Sequence, residues 1–170
     1  MLIVNIRLAT IDDLDRINEL YKCIVEDIHN NKKINMWNNI YPFCEFEKNI
    51  EDKDMYVLEE DEKIIGSFAL TDFDEPEYNS INWKYKNKKF FYIDRLVIDV
   101  DCQGKGYSKK AMEYIEKYAI KNKYEVMRLT VHIDNKIAIS LYEKCGFERI
   151  EDSICTMGDK ILIGYEKNIR

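Results

Sequence analysis

The eleven residues "FFYIDRLVIDV" (90–100) are apolar nearly throughout and run directly into "DCQGKGYSKKAMEYIEKYA". A short, continuous run rich in aromatic and β-branched residues reads as a central strand. Past the break, Ala111, Met112, Ile115, Tyr118 and Ala119 recur at the spacing of one helix face. Between strand and helix stand Gly104 and Gly106, two of only six glycines in 170 residues. A strand handed through a glycine turn to an amphipathic helix calls for a mixed α/β architecture.

That turn is also a place to hold an anion. The first N–H groups of a helix have no intrahelical partner and carry partial positive charge. Glycine lets such amides approach a phosphate without a Cβ in the way. Gln103, Gly104, Lys105, Gly106, Tyr107 and Ser108 surround the turn, and Lys105, Lys109 and Lys110 bring positive charge to it. The P-loop pattern G-x-x-x-x-G-K-[ST] is absent. The dinucleotide pattern G-x-G-x-x-G also fails, because Lys109 stands where its third glycine belongs. On spacing alone, a tight turn and a phosphate cradle remain equal readings.

The rest of the chain supplies the other layers. "VNIRLAT" alternates as a strand, and Thr10 reads as the N-cap of a helix with Ile11, Leu14, Ile17, Leu20, Ile24 and Ile28 on its buried stripe. An irregular aromatic stretch, "MWNNIYPFCEF", leads to a short helix in "FEKNIED". "MYVLEE" and "IIGSFAL" form a hairpin around an acidic turn, and residues 71–89 make a long polar and aromatic excursion. "YEVMRLTVHI" is a strand, "NKIAISLYEKCGF" a helix stopped by Gly146, and the C-terminus a hairpin. The predicted order is β-α-α-β-β-β-α-β-α-β-β. Its fold class is α/β in the α+β sense, a mixed, mostly antiparallel central sheet flanked by helices in a single domain over residues 1–170.

The formal net charge of −6 argues against nucleic acid as a partner. No apolar run reaches the length of a membrane span. Five scattered cysteines without C-x-x-C spacing fit free thiols and a cytoplasmic setting, and two distant histidines give no metal site.

Two motifs carry a resemblance. Gln103, Gly106 and Ser108 fit Q/R-x-x-G-x-G/A, with serine at the small last position, after a strand bearing Leu96 and Ile98. Asn135, Ala138, Leu141, Tyr142, Gly146 and Phe147 fit N-x-x-A-x-x-L-Y-x-x-x-G-F. In this order and spacing, residues 90–150 resemble the core of the GNAT acetyltransferase superfamily.

The resemblance implies acetyl-CoA as cosubstrate and a primary amine as acceptor, with no metal. It places the pyrophosphate on Gln103, Gly104, Lys105, Gly106, Tyr107, Ser108 and Lys109. It lays the pantetheine arm along Leu96, Val97 and Ile98, and gives Asn135 a hydrogen bond to that arm. An N–H on the strand near Val97 would meet the charge on the thioester oxygen. Tyr142 would protonate the departing thiolate as general acid. The family's usual glutamate position falls near Tyr92 and Ile93, neither of which is a carboxylate. Asp94 is the nearest candidate, an ion pair is an equal reading of it, and the base stays unassigned.

Outside the motifs, Trp37, Tyr41 and Trp83, with Phe43 and Tyr85, are candidates to line the acceptor pocket, although loop aromatics equally cover core edges. His132 reads as a satisfied sheet residue. Cys102 precedes the helix start, where a thiolate is stabilised, but has no histidine near it in sequence. The alternative function is a non-catalytic acyl-CoA-binding sensor, which has no need of Tyr142. A generic phosphate-binding domain is disfavoured by the 135–147 run. A homodimer is compatible with this architecture.

Overall fold

The computed structural model describes residues 3–170, without the side chains of Asp152 and Ser153. Its elements are β1 (Asn5–Leu8), α1 (Leu14–Asn30), α2 (Phe46–Glu51), β2 (Met55–Glu60), β3 (Lys63–Thr71), β4 (Phe90–Ile98), α3 (Tyr107–Lys121), β5 (Val126–His132), α4 (Lys136–Lys144), β6 (Glu148–Met157) and β7 (Lys160–Asn168). This is the predicted order. The chain divides into two compact units. One holds the described part of Met1–Leu70 with Arg95–Tyr114, and the other Thr71–Asp94 with Ile115–Arg170.

In the first unit the strand order is β1-β2-β3-β4, with β1/β2 and β2/β3 antiparallel. The apolar stripe of α1 and the face of α2 bury Ile17, Leu20, Tyr21, Ile24, Phe46 and Ile50 against Met55, Val57, Ile64 and Val97 of the strands. Alternation along a strand sends neighbours to the opposite face. There Tyr56 and its cross-strand partner Phe68 stack at 5.2 Å, each against Tyr114 of α3. The β2–β3 turn places Asp61 and Glu62 at φ 49° and 63°, the left-handed pair that matches strand twist in a two-residue hairpin.

The start of α1 departs from expectation. Thr10 opens a 3₁₀ turn, Ile11–Asp13, and the α-helix begins only at Leu14. The Asp13 carboxylate accepts from the Thr10 N–H at 2.7 Å and from both Arg7 Nη atoms at 2.8 and 2.9 Å. The tighter turn rotates Ile11 off the stripe, and it is 59% exposed.

In the second unit the order is β4-β5-β7-β6. The β4/β5 pairing is parallel, while β5/β7 and β7/β6 are antiparallel. The parallel ladder is three residues long, Phe90–Tyr92 with Val126–Arg128, although β5 continues to His132. The excursion carries a 3₁₀ turn, Pro76–Ser80, and contributes Tyr78, Ile81 and Trp83 to a core with Tyr92, Ile150 and Cys155. It is fastened by a buried ion pair. Arg128 Nε donates to Glu166 Oε1 at 3.0 Å, Arg128 Nη2 donates to the Tyr85 carbonyl, and Glu166 Oε2 accepts from the Lys84 N–H. The guanidinium lies over the rings of Phe90 and Trp83. Among the described residues, no helix is long and apolar enough to cross a membrane.

Candidate active site

In the first unit, β4 ends at Ile98 and a 3₁₀ turn, Val100–Cys102, carries the chain into the glycine loop. Asp99 organises the exit. One carboxylate oxygen accepts from Arg16 Nη2 at 2.7 Å and the other from the Asp101 N–H at 3.1 Å. Arg16 also donates to the Ile64 carbonyl, so α1 is bolted to both β3 and the loop. Gly104 and Gly106 adopt φ 74° and 91°, and a Cβ built on Gly104 meets nothing within 4 Å. The loop thus has an open face, a backbone conformation that favours glycine, and the first N–H groups of α3 behind it. These features suit a phosphate group.

The side chains of the loop divide their work differently from the sequence expectation. Gln103 Nε2 donates to the Ile98 carbonyl at 3.0 Å, and Lys105 Nζ donates to the Asp101 carbonyl at 2.9 Å. Both brace the loop from within. The Tyr107 side chain is committed elsewhere. Its ring is buried and its hydroxyl donates to Glu60, because the first helical residue turns inward toward the β2–β3 hairpin. That bond, with burial, pushes the phenol up to about 12. Only its backbone faces the task assigned to it. Ser108 is half-buried and Lys109 exposed. Cys102, already disfavoured as a nucleophile, is half-buried. Burial and then Asp99 push its thiol up, so the thiolate is not favoured there. Along β4, Leu96 is half-buried, while Val97 and Ile98 are buried.

The second unit holds the other motif. Asn135 is the N-cap of α4, its Oδ1 accepting from the Ala138 N–H at 3.3 Å. The cap uses the amide oxygen and not the Nδ2 donor that a ligand hydrogen bond would call on. Tyr142 is 8% exposed, its ring 5.9 Å from that of Phe147. Burial pushes its phenol well above the ordinary tyrosine range, and Cys145 and Asp94 add to the effect. Asp94 Oδ2 accepts from Thr71 Oγ1 at 2.7 Å. His132 is buried and its Nδ1 accepts from the Asp134 N–H.

Residues 15–147 match the model of the Acetyltransferase (GNAT) family. The chain belongs to this family. An uncharacterized N-acetyltransferase from Methanocaldococcus jannaschii is 26% identical over 152 residues, which cover 86% of this chain and 61% of that protein. The chain thus spans about three fifths of the length of the curated relative it matches. A GNAT-family acetyltransferase from Streptococcus agalactiae 2603 has a similar structure, with a TM-score of 0.81 at 21% identity, covering 98% of this chain and 96% of the other. The PaiA N-acetyltransferase of Thermoplasma acidophilum, solved in complex with coenzyme A, gives a TM-score of 0.71 at 20% identity, with 98% and 99% covered. The fold of the GNAT chain is that of these acetyltransferases.

The acceptor candidates separate. Trp37 and Tyr41 lie in the first unit, where Trp37 packs on Tyr21 and the Tyr41 hydroxyl accepts from Arg95 Nη1. Trp83 is buried in the core of the second, beneath Arg128 and beside Tyr92, so it supports the excursion and does not stand open as a loop aromatic would. Sequence reasoning missed Arg16, Asp99 and Thr71. Nothing in their spacing marks them, since their partners lie tens of residues away. Among the described residues, no group of three or more His, Cys, Asp or Glu side chains is placed to hold a metal ion.

Proposed function

We propose that the chain is an acetyl-CoA-dependent N-acetyltransferase acting on a primary amine by direct attack on the thioester. The observation that carries this reading is the open glycine loop, left-handed at Gly104 and Gly106, at the start of α3. Its backbone N–H groups would hold the pyrophosphate, with Lys109 adding charge and Gln103 and Lys105 keeping the loop in shape. The strand residues Leu96, Val97 and Ile98 would offer backbone partners to the pantetheine arm, and Asn135 its amide. Bound acetyl-CoA supplies the acetyl group as an activated thioester. Tyr142, kept protonated by burial, is the donor for the leaving thiolate. Trp37, Tyr41 and Asp94 would contact the acceptor, and the whole chain would serve as one domain, since the family match runs through both units. None of the five cysteines is joined in a disulfide, which supports a cytoplasmic setting.

The test is release of free thiol from acetyl-CoA with and without a panel of amines, beside calorimetry with coenzyme A. Amine-dependent release supports the enzyme. Tight coenzyme A binding without transfer to any amine selects the sensor instead. Failure to bind coenzyme A overturns both.

A further inference from the structure

Among the described residues, Arg95 is the one non-glycine residue with positive φ that lies inside a strand, at φ 53° in the middle of β4. The others, Lys33, Lys53, Asp61, Glu62 and Lys123, occupy turns and helix ends. The left-handed conformation costs a residue with a Cβ about 1–2 kcal/mol, and it persists where the surroundings hold it. Three side chains do so here. Tyr21 of α1, fully buried, donates its hydroxyl to the Arg95 carbonyl at 2.7 Å. Asn49 Oδ1 accepts from Arg95 Nη2, and the Tyr41 hydroxyl accepts from Nη1 at 3.3 Å.

A strand carbonyl ordinarily points along the sheet to its neighbour. This one points to a helix. A trans peptide sets its C=O and N–H in opposite directions. The rotation that brings the Arg95 carbonyl to Tyr21 therefore turns the Leu96 N–H away from α1. We infer that Tyr21 is a positioning residue for acetyl transfer. By holding the Arg95–Leu96 peptide it fixes the direction of the Leu96 N–H, the donor to the charge that develops on the thioester oxygen. This rests on the acetyltransferase reading above. Tyr21 touches neither substrate. It acts through the backbone of β4, and the left-handed residue is the conformation that its hydroxyl maintains.

The experiment is Tyr21→Phe in the full chain. Phenylalanine keeps the ring beside Phe46 (4.6 Å) and Trp37 (5.9 Å) and removes the hydroxyl alone. With the best amine of the panel, kcat should fall about 10–100-fold, the scale of a sub-ångström to 1 Å misplacement at a reacting centre. The Kd for coenzyme A should stay within about twofold, since the glycine loop is untouched. Unchanged kcat overturns the inference, and so does a fall in kcat matched by an equal loss of coenzyme A affinity. A wild-type chain that acetylates no amine overturns the enzyme reading first, which a defect confined to the variant does not. Should Tyr21→Phe fail to fold, Arg95→Asn and Arg95→Val decide. Both remove the guanidinium, but asparagine tolerates the left-handed region and valine does not. The valine variant should turn over at least about tenfold more slowly than the asparagine one. Equal rates overturn the inference.

Discussion

Burial keeps the Tyr142 phenol protonated at neutral pH, because tyrosinate is disfavoured away from water. Its folded pKa lies above the unfolded value, burial contributing most, then Cys145 and Asp94. The sign follows directly. Its contribution to stability is complete below about pH 10 and is lost as pH rises beyond it. Tyr142→Phe should lower kcat about 10²–10⁴-fold, the usual worth of a general acid, while coenzyme A affinity changes little. The same variant should lose less stability than wild type between pH 8 and pH 11 in thermal melts. The place of Tyr142 on α4 was legible in the sequence because a thirteen-residue pattern surrounds it. Arg95 was not, since arginine has no preference for the left-handed region and its restraints come from residues 21, 41 and 49. The inward turn of the Tyr107 ring onto Glu60 was not readable from the loop pattern. Position in a motif fixes where a backbone runs, and burial partners fix where a ring goes.

At the scale of elements, strands, helices and their order were readable from period and punctuation, and the boundaries less so. The 3₁₀ turn ahead of α1 came from the reach of Arg7 to Asp13, a contact that local pattern does not contain. The glycine loop is the element to which the proposed reading assigns cofactor binding. Gly106→Val puts a β-branched residue at φ 91°, where strain and bulk both oppose the loop's shape. Calorimetry should show coenzyme A affinity reduced at least about 100-fold in a protein that still folds, the worth of two or more lost charge-assisted hydrogen bonds. The β2–β3 turn gives a prediction of opposite sign. Glu62 sits at φ 63° and exposed. Glu62→Gly should stabilise the protein by about 0.5–1 kcal/mol in denaturant melts, because relief of the left-handed strain outweighs the added freedom of the unfolded chain.

Across the whole molecule, Arg7 links β1, the start of α1 and β2 through Asp13 and Glu59. Its bonds hold both carboxyls below their ordinary range. Carboxyls with lowered pKa values stabilise the fold above their unfolded values near pH 4, and that stability disappears as pH falls below them. Arg7→Gln should cost about 1–2 kcal/mol at pH 7 and much less at pH 2.5, measured by urea unfolding. Wild type should show the steeper acid dependence. The two-unit division, by contrast, left no trace in composition, because no linker or low-complexity tract separates the units.

The clamp formed by Arg128 and Glu166 takes hold of the excursion at Lys84 and Tyr85, after Tyr78, Ile81 and Trp83 have entered the core. Residues 72–77 precede these positions and are mostly exposed, with Phe73 64% accessible, although Asp74 accepts from the Tyr92 hydroxyl and the Glu77 carbonyl from the Cys155 thiol. Heredity meets the two stretches differently. A descendant gene can recharge the exposed positions Asp72 and Phe73 and still encode a folding chain, whereas a change at Arg128 or Glu166 strands a buried charge and is purged at about 3–5 kcal/mol.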